Sequence, residues 1–325
     1  MCGGLHTSSG AFDCLSYCCG TPDKCTTVCP RHPNFVDRVQ EVSGLELLQL
    51  ERVRGAPFPS LPSSVPLIYA RGVRREPFNP EFAAVSLYDL IDRTRARIKF
   101  ESRTQLQNHF GLHHSTRIIA SGTQQDPPLE RWWDLSSQRR GVLEQLLAIG
   151  IEGVTAPNFS VFSDVPRWDN FHAMKRIAIC CTEMLDIGLP CALHVNARSP
   201  RDWERWADFV RAREEIDAIS YEFATGAAVR LWYHLDELRH LADRVNRPLK
   251  LVVRGALYEL RSLRESYAEV AMLDSTTYLR TVNRKIAEVR LDGRAYWKSA
   301  PDRPDVDLDA LLEHNHRSML EVTSA

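Results

Sequence analysis

Five cysteines lie within sixteen residues, Cys14, Cys18, Cys19, Cys25 and Cys29, in the string CLSYCCGTPDKCTTVCP. Thiolates this close along a chain can converge on one soft metal ion. Their spacing, C-x₃-C-C-x₅-C-x₃-C, offers five donors for four positions, and adjacent Cys18 and Cys19 cannot easily both point inward. A structural zinc site is the first expectation, an iron–sulfur cluster the second and unmetallated thiols the third. A radical-enzyme triplet C-x₃-C-x₂-C is broken by Thr21. Cys180, Cys181 and Cys191 fall in helical and strand patterns and read as core.

The elements that would position such a site follow from composition and rhythm. The chain has 325 residues, 44% hydrophobic and 26% charged, with a formal net charge of −1. This composition describes a globular protein without a global field that would draw in nucleic acid. No apolar run reaches the length of a membrane span, and the first residues lack a basic and apolar leader pattern. A cytoplasmic, reducing location is therefore expected, where clustered cysteines serve metals more often than disulfides.

Residues 1–55 read as a Cys-rich, metal-binding N-terminal segment and 56–66, APFPSLPSSVP, as a Pro/Ser linker. Residues 67–286 carry alternating short apolar runs and amphipathic helical stretches, and 287–325 form a C-terminal extension ending in a helix. Strands are expected at 67–70, 97–100, 117–120, 153–156, 191–195, 218–222, 249–253 and 270–273. Eight strand–helix units predict an α/β fold, a (β/α)₈ TIM-like barrel with a loop-rich N-terminal cap and a C-terminal helix. An open doubly wound sheet is the alternative.

In such a barrel the site is built at the C-terminal ends of the strands. Polar residues recur there: Asp126 after the third strand, then Asn158, Ser160, Asp164 and Arg167 after the fourth. His194 and Asn196 end the fifth, Glu222, Thr225 and Gly226 the sixth, Arg254 and Gly255 the seventh, Asp274 and Ser275 the eighth. Asp274-Ser275-Thr276 also fits a helix cap, and His194 a satisfied core histidine. Walker, dinucleotide and nucleophile-elbow motifs are absent. The set suits a carboxylate nucleophile on a sugar carbon, a second carboxylate as acid or base, and amides and hydroxyls that read a base edge.

The segment PLKLVVRGALYELRSLRESYAEVAMLDSTTYLRTVNR, followed by AYWK, resembles the end of a guanine-transglycosylase barrel. It is more similar to the phage and bacterial DNA 7-deazaguanine transglycosylases than to the tRNA enzymes. The resemblance implies a pentosyltransferase that replaces guanine in nucleic acid by a 7-deazaguanine such as preQ0, with DNA and a small modified base as partners. It implies Asp274 as the nucleophile; Asp126, Asp164 and Glu222 are candidates for the second carboxylate. Two other readings compete. One is redox or radical chemistry at an N-terminal iron–sulfur cluster. The other is a zinc-stapled nucleic-acid-binding module without catalysis, with Arg71, Arg74, Arg75, Arg93, Arg95 and Arg97 as its phosphate-binding face.

Overall fold

The computed structural model describes residues 35–324 apart from 71, 73, 93, 163–164, 166, 225 and 302–305. The five clustered cysteines, Asp164 and Thr225 lie outside the described residues.

Eight parallel strands form one sheet: β1 (Ser64–Pro66), β2 (Phe82–Ser86), β3 (Arg117–Ser121), β4 (Ile151–Thr155), β5 (Cys191–His194), β6 (Ala218–Glu222), β7 (Lys250–Arg254) and β8 (Glu269–Asp274). β1 pairs with β8, and just beyond it Leu67 bridges Ala84 of β2, where Ile68 N–H donates to Ala84 O at 2.8 Å. The sheet is thereby closed into a TIM-like barrel.

The helices are α1 (Phe35–Glu41), α2 (Arg103–Phe110), α3 (Asp126–Trp133), α4 (Arg139–Ala148), α5 (Arg167–Asp186), α6 (Pro200–Arg211), α7 (Leu231–Val245), α8 (Leu260–Leu263), α9 (Thr276–Val282) and α10 (Leu308–Ser324). A hairpin, β9 (Lys285–Val289) and β10 (Ala295–Ser299), precedes α10. Asn315 of α10 binds this hairpin by accepting from Ala287 N–H and donating to Lys285 O. None of the described helices is long and apolar enough to cross a membrane.

Because side chains alternate across a strand, each strand feeds two cores. Val65, Phe82, Ala84, Ile119, Ala192, Ala218, Val252 and Leu273 form the inner core. Their neighbours of opposite phase, including Val85, Ile118, Leu193, Ile219, Val253 and Met272, pack outward with the helices.

Two expectations are corrected. The second barrel strand is Phe82–Ser86, not 97–100; all five of its residues are buried. Arg97–Ile98 instead pairs with Ile91–Asp92 in a small hairpin, because exposed Arg97 cannot enter a strand buried on both faces. The Pro/Ser stretch is not a linker either. It contains β1, and its earlier part seals the barrel's N-terminal end. Phe58 joins the inner core, its N–H donates to both Asp217 carboxylate oxygens, and Lys250 Nζ donates to its carbonyl. Ser60 Oγ donates to Glu269 at 2.8 Å. Gly153 of β4 makes room for the plug: a Cβ there would stand 3.0 Å from the Phe58 ring. Pro66 is tolerated because Leu67 and Ile68 supply the neighbouring ladder N–H groups.

Truncating the plug should be costly. Phe58→Ala is expected to destabilise the protein by about 3–5 kcal/mol in denaturant unfolding; a loss below about 1 kcal/mol would contradict the plug.

Candidate active site

A cavity of about 500 Å³ opens at the C-terminal end of the barrel. Strand phase determines what lines its floor. The inner-core phase runs on toward the strand ends into polar residues: Ser121 of β3, His194 of β5, Ser220 and Glu222 of β6, Arg254 of β7. Of these, His194, Glu222 and Arg254 border the cavity. The inner core thus ends in a polar layer at the mouth.

The loops after β3, β4 and β5 form one wall through mutual hydrogen bonds. Gln124 N–H donates to Asn158 Oδ1 at 2.8 Å, and Ser160 Oγ donates to Asp126 Oδ1 at 2.7 Å. Asn196 Nδ2 donates to Phe159 O at 3.1 Å, and Arg198 Nε to Val161 O at 2.8 Å. These contacts hold exposed Asp126 at the cavity wall and leave amide and hydroxyl groups facing the space.

Glu222 is the buried carboxyl of this site, its side chain 5% exposed. Oε1 accepts from Ala224 N–H at 2.7 Å. Oε2 stands 3.5 Å from Arg254 Nη1 but makes no hydrogen bond among the described residues. Nor does Arg254 Nε. Burial raises the Glu222 carboxyl above its usual range, against the opposing pull of Arg254 and the Ala224 N–H. His194 beside it is fully buried, and desolvation pushes its imidazole down to about 3, so it is neutral at pH 7. Its Nδ1 is 3.4 Å from Ser220 Oγ. Gly255, at φ +85°, permits this meeting of strands: a Cβ there would lie 3.0 Å from Ala224 N.

Seven expected site residues therefore converge on the cavity: Asp126, Asn158, Ser160, His194, Asn196, Glu222 and Arg254. Gly255 supports it from behind. Asp274 is not among the lining residues. It has the phase of outward-facing Val270 and Met272, and its carboxylate caps α9, accepting from Thr276 N–H, Thr277 N–H and the Thr277 hydroxyl. Ser275 precedes that helix and makes no side-chain cap.

Arg167 is likewise occupied elsewhere. It forms an ion pair with Asp202, both side chains 1% exposed, and ties the start of α5 to that of α6. Gly226 opens the 3-10 turn Gly226–Arg230 after β6. Trp132, Trp133, Phe159 and Trp168 are buried in the outer core. Arg74 of the expected phosphate-binding face is buried too, donating to the carbonyls of Phe110 and Gly111.

Sequence reasoning passed over Gln124, Gln125, Arg198 and Tyr221, which also border the cavity. The signal for Arg198 was its place four residues after the end of β5. Tyr221 has outward phase, and its hydroxyl lies 2.7 Å from His234 Nδ1. Among the described residues no group of three or more His, Cys, Asp or Glu is placed to hold a metal ion.

No protein-family model matches this sequence, and comparison with curated proteins finds no match. Among solved structures, the chain is similar to a provisionally assigned lyase/mutase from Burkholderia cenocepacia J2315. The two are 15% identical with a TM-score of 0.36, over 78% of this chain and 91% of the other. A likeness at that level carries no information about the reaction.

The buried carboxyl gives a signed test. Its folded pKa lies above the unfolded value of 4.5, so the cost of ionising it in the fold is absent at low pH and grows as pH rises through the folded value. Glu222→Gln should raise Tm at about pH 8 and leave it unchanged at about pH 4; a lower Tm at the higher pH would contradict this. Asp274→Ala, which removes the α9 cap, should cost about 1–2 kcal/mol in denaturant unfolding; no loss would contradict the capping role.

Proposed function

We propose that this chain is a barrel enzyme that exchanges a base in nucleic acid by glycosyl transfer, with its chemistry at Glu222 and Asp126. The observation that carries this reading is the buried Glu222 carboxyl, its Oε2 free of hydrogen bonds among the described residues, beside Arg254 in a cavity walled by amides and hydroxyls. Arg254 can donate to a carbonyl of the base, and the protonated Glu222 carboxyl can donate to a ring nitrogen of the leaving base. The identity of the exchange, guanine for a 7-deazaguanine, rests on the resemblance of the last two barrel units alone, and the nucleophile that this resemblance implies, Asp274, does not line the cavity.

The roles follow from the environments. Asp126, exposed and hydrogen-bonded by Ser160, attacks the sugar C1′. The C1′–N bond breaks, its electron pair goes to the leaving base, and that base takes a proton from Glu222. The incoming base returns a proton to Glu222, attacks C1′ and displaces the Asp126 carboxylate. A carboxyl raised by burial suits the proton-carrying role. Asp274 has no part in these steps, since its carboxylate is held by α9. Cys14, Cys18, Cys19, Cys25 and Cys29 enter the reading as the donor set for a structural zinc ion.

The test is exchange of labelled guanine or 7-deazaguanine into DNA. Glu222→Gln and Asp126→Asn should each lower kcat by about 10²–10⁴-fold, while Asp274→Asn, assayed where it is folded, keeps its rate within about tenfold. Full activity in Glu222→Gln, or its loss only in folded Asp274→Asn, would overturn the assignment. Elemental analysis should find zinc in a colourless protein; a brown, iron-containing preparation would restore the iron–sulfur reading.

A further inference from the structure

A second feature lies outside the cavity. The β9–β10 hairpin turns one face to solvent and the other to α10. Its register pairs Glu288 with Tyr296 and sets Ile286, partly buried against Leu308 and Leu311, beside Lys298, and alternation adds Arg290 and Arg294 beyond this buried foot of the outer face. Arg290, Arg294, Tyr296 and Lys298 are exposed. Lys298 is paired with Glu288, but neither Arg290 nor Arg294 has an ion pair among the described residues. Each guanidinium instead lies over an exposed aromatic ring: Arg290 is 4.6 Å from the Tyr296 centroid and Arg294 is 5.3 Å from that of Tyr258. Tyr258 and Tyr296 are 50% and 48% exposed, unusually open for aromatic rings.

The face is tied to the loop that follows β7 at the mouth end of the barrel. Tyr258 follows β7 by four residues, in the 3-10 turn Leu257–Glu259, and its hydroxyl donates to Ala295 O at 3.3 Å. Arg254, which lines the cavity, ends that same strand. The hairpin is therefore anchored to the turn that follows the strand ending in the cavity residue Arg254.

We propose that this face is the docking surface for a single-stranded nucleic acid whose target base enters the cavity. Exposed rings with adjacent guanidiniums outside any ion pair give bases a stacking surface and phosphates a counter-charge. A duplex presents its bases already stacked and cannot use the rings in this way. The surface rests on the nucleic-acid part of the proposed function, not on the roles given to Glu222 and Asp126.

The test is fluorescence anisotropy of the full chain with a labelled single-stranded DNA 20-mer, and with its duplex, across a salt series. The parent should bind the single strand more tightly than the duplex, with affinity falling steeply as salt rises. The double variant R290E/R294E should weaken binding by roughly tenfold or more and flatten the salt slope by about 0.7 for each phosphate no longer neutralised. Tyr296→Ala should weaken it at every salt concentration, by roughly tenfold for a base that no longer stacks. Both sites are exposed, and an unchanged thermal melt confirms folding. No binding by the parent, equal or tighter binding of duplex, or unchanged binding in R290E/R294E would overturn the proposal. Glu222→Gln separates the two ideas: loss of exchange with binding intact supports both. Binding without exchange in the parent leaves the surface standing and sinks the catalytic reading.

Discussion

The mouth of this barrel depends on the register between β6 and β7. Their ladder sets Glu222 directly opposite Arg254, both in the phase that faces the barrel interior. A one-residue slip of β7 against β6 would turn Arg254 out toward the helices and bring Val253 in its place, leaving Glu222 without its partner. Gly255 protects the register at its end, where any Cβ would press on the backbone of Ala224. The same two-residue period separates Glu222 from Asp274: both end a strand, but only one ends it facing inward.

This arrangement places the polar cost of the site where the fold can bear it. Below the mouth, the interior is apolar down to Phe58, which the Asp217 carboxylate and Lys250 hold across the N-terminal end. The polar layer therefore sits between a sealed core and an open cavity. Glu222 and His194 lose most of their water there, and their pKa shifts run in opposite directions, each toward the neutral form. The wall opposite is stitched from loop to loop by Asn158, Ser160 and Asn196, and these bonds hold the cavity's shape.

Much of the fold was legible in the sequence because parallel strands buried on both faces leave uninterrupted apolar runs. The runs near 117–120, 191–195, 218–222 and 270–273 each mark a strand. The first two units were obscured for specific reasons. β1 is three residues long and lies in a Pro/Ser stretch, and β2 is the unremarkable FAAVS, while the more strand-like RIKF carries charges that the interior cannot take. Strand-end reasoning found seven of the cavity residues. It could not separate Asp274 from Glu222, because phase relative to a closed barrel is set by pairing with neighbouring strands, not by the sequence of one strand. Arg167 misled for a related reason: a charged side chain after a strand can be consumed by a buried partner, here Asp202, far along the chain.

The central claim is that the working carboxyl is Glu222 at the cavity and not Asp274 under α9. Carbon-13 NMR of the carboxyl carbons tests it most directly, since glutamate Cδ and aspartate Cγ resonate apart and the Glu222→Gln spectrum assigns the signal. The account predicts one glutamate that titrates above the ordinary range and changes its titration when 7-deazaguanine is added, with Asp274 unmoved by the base. A Glu222 signal indifferent to the base, or a response confined to Asp274, would contradict it.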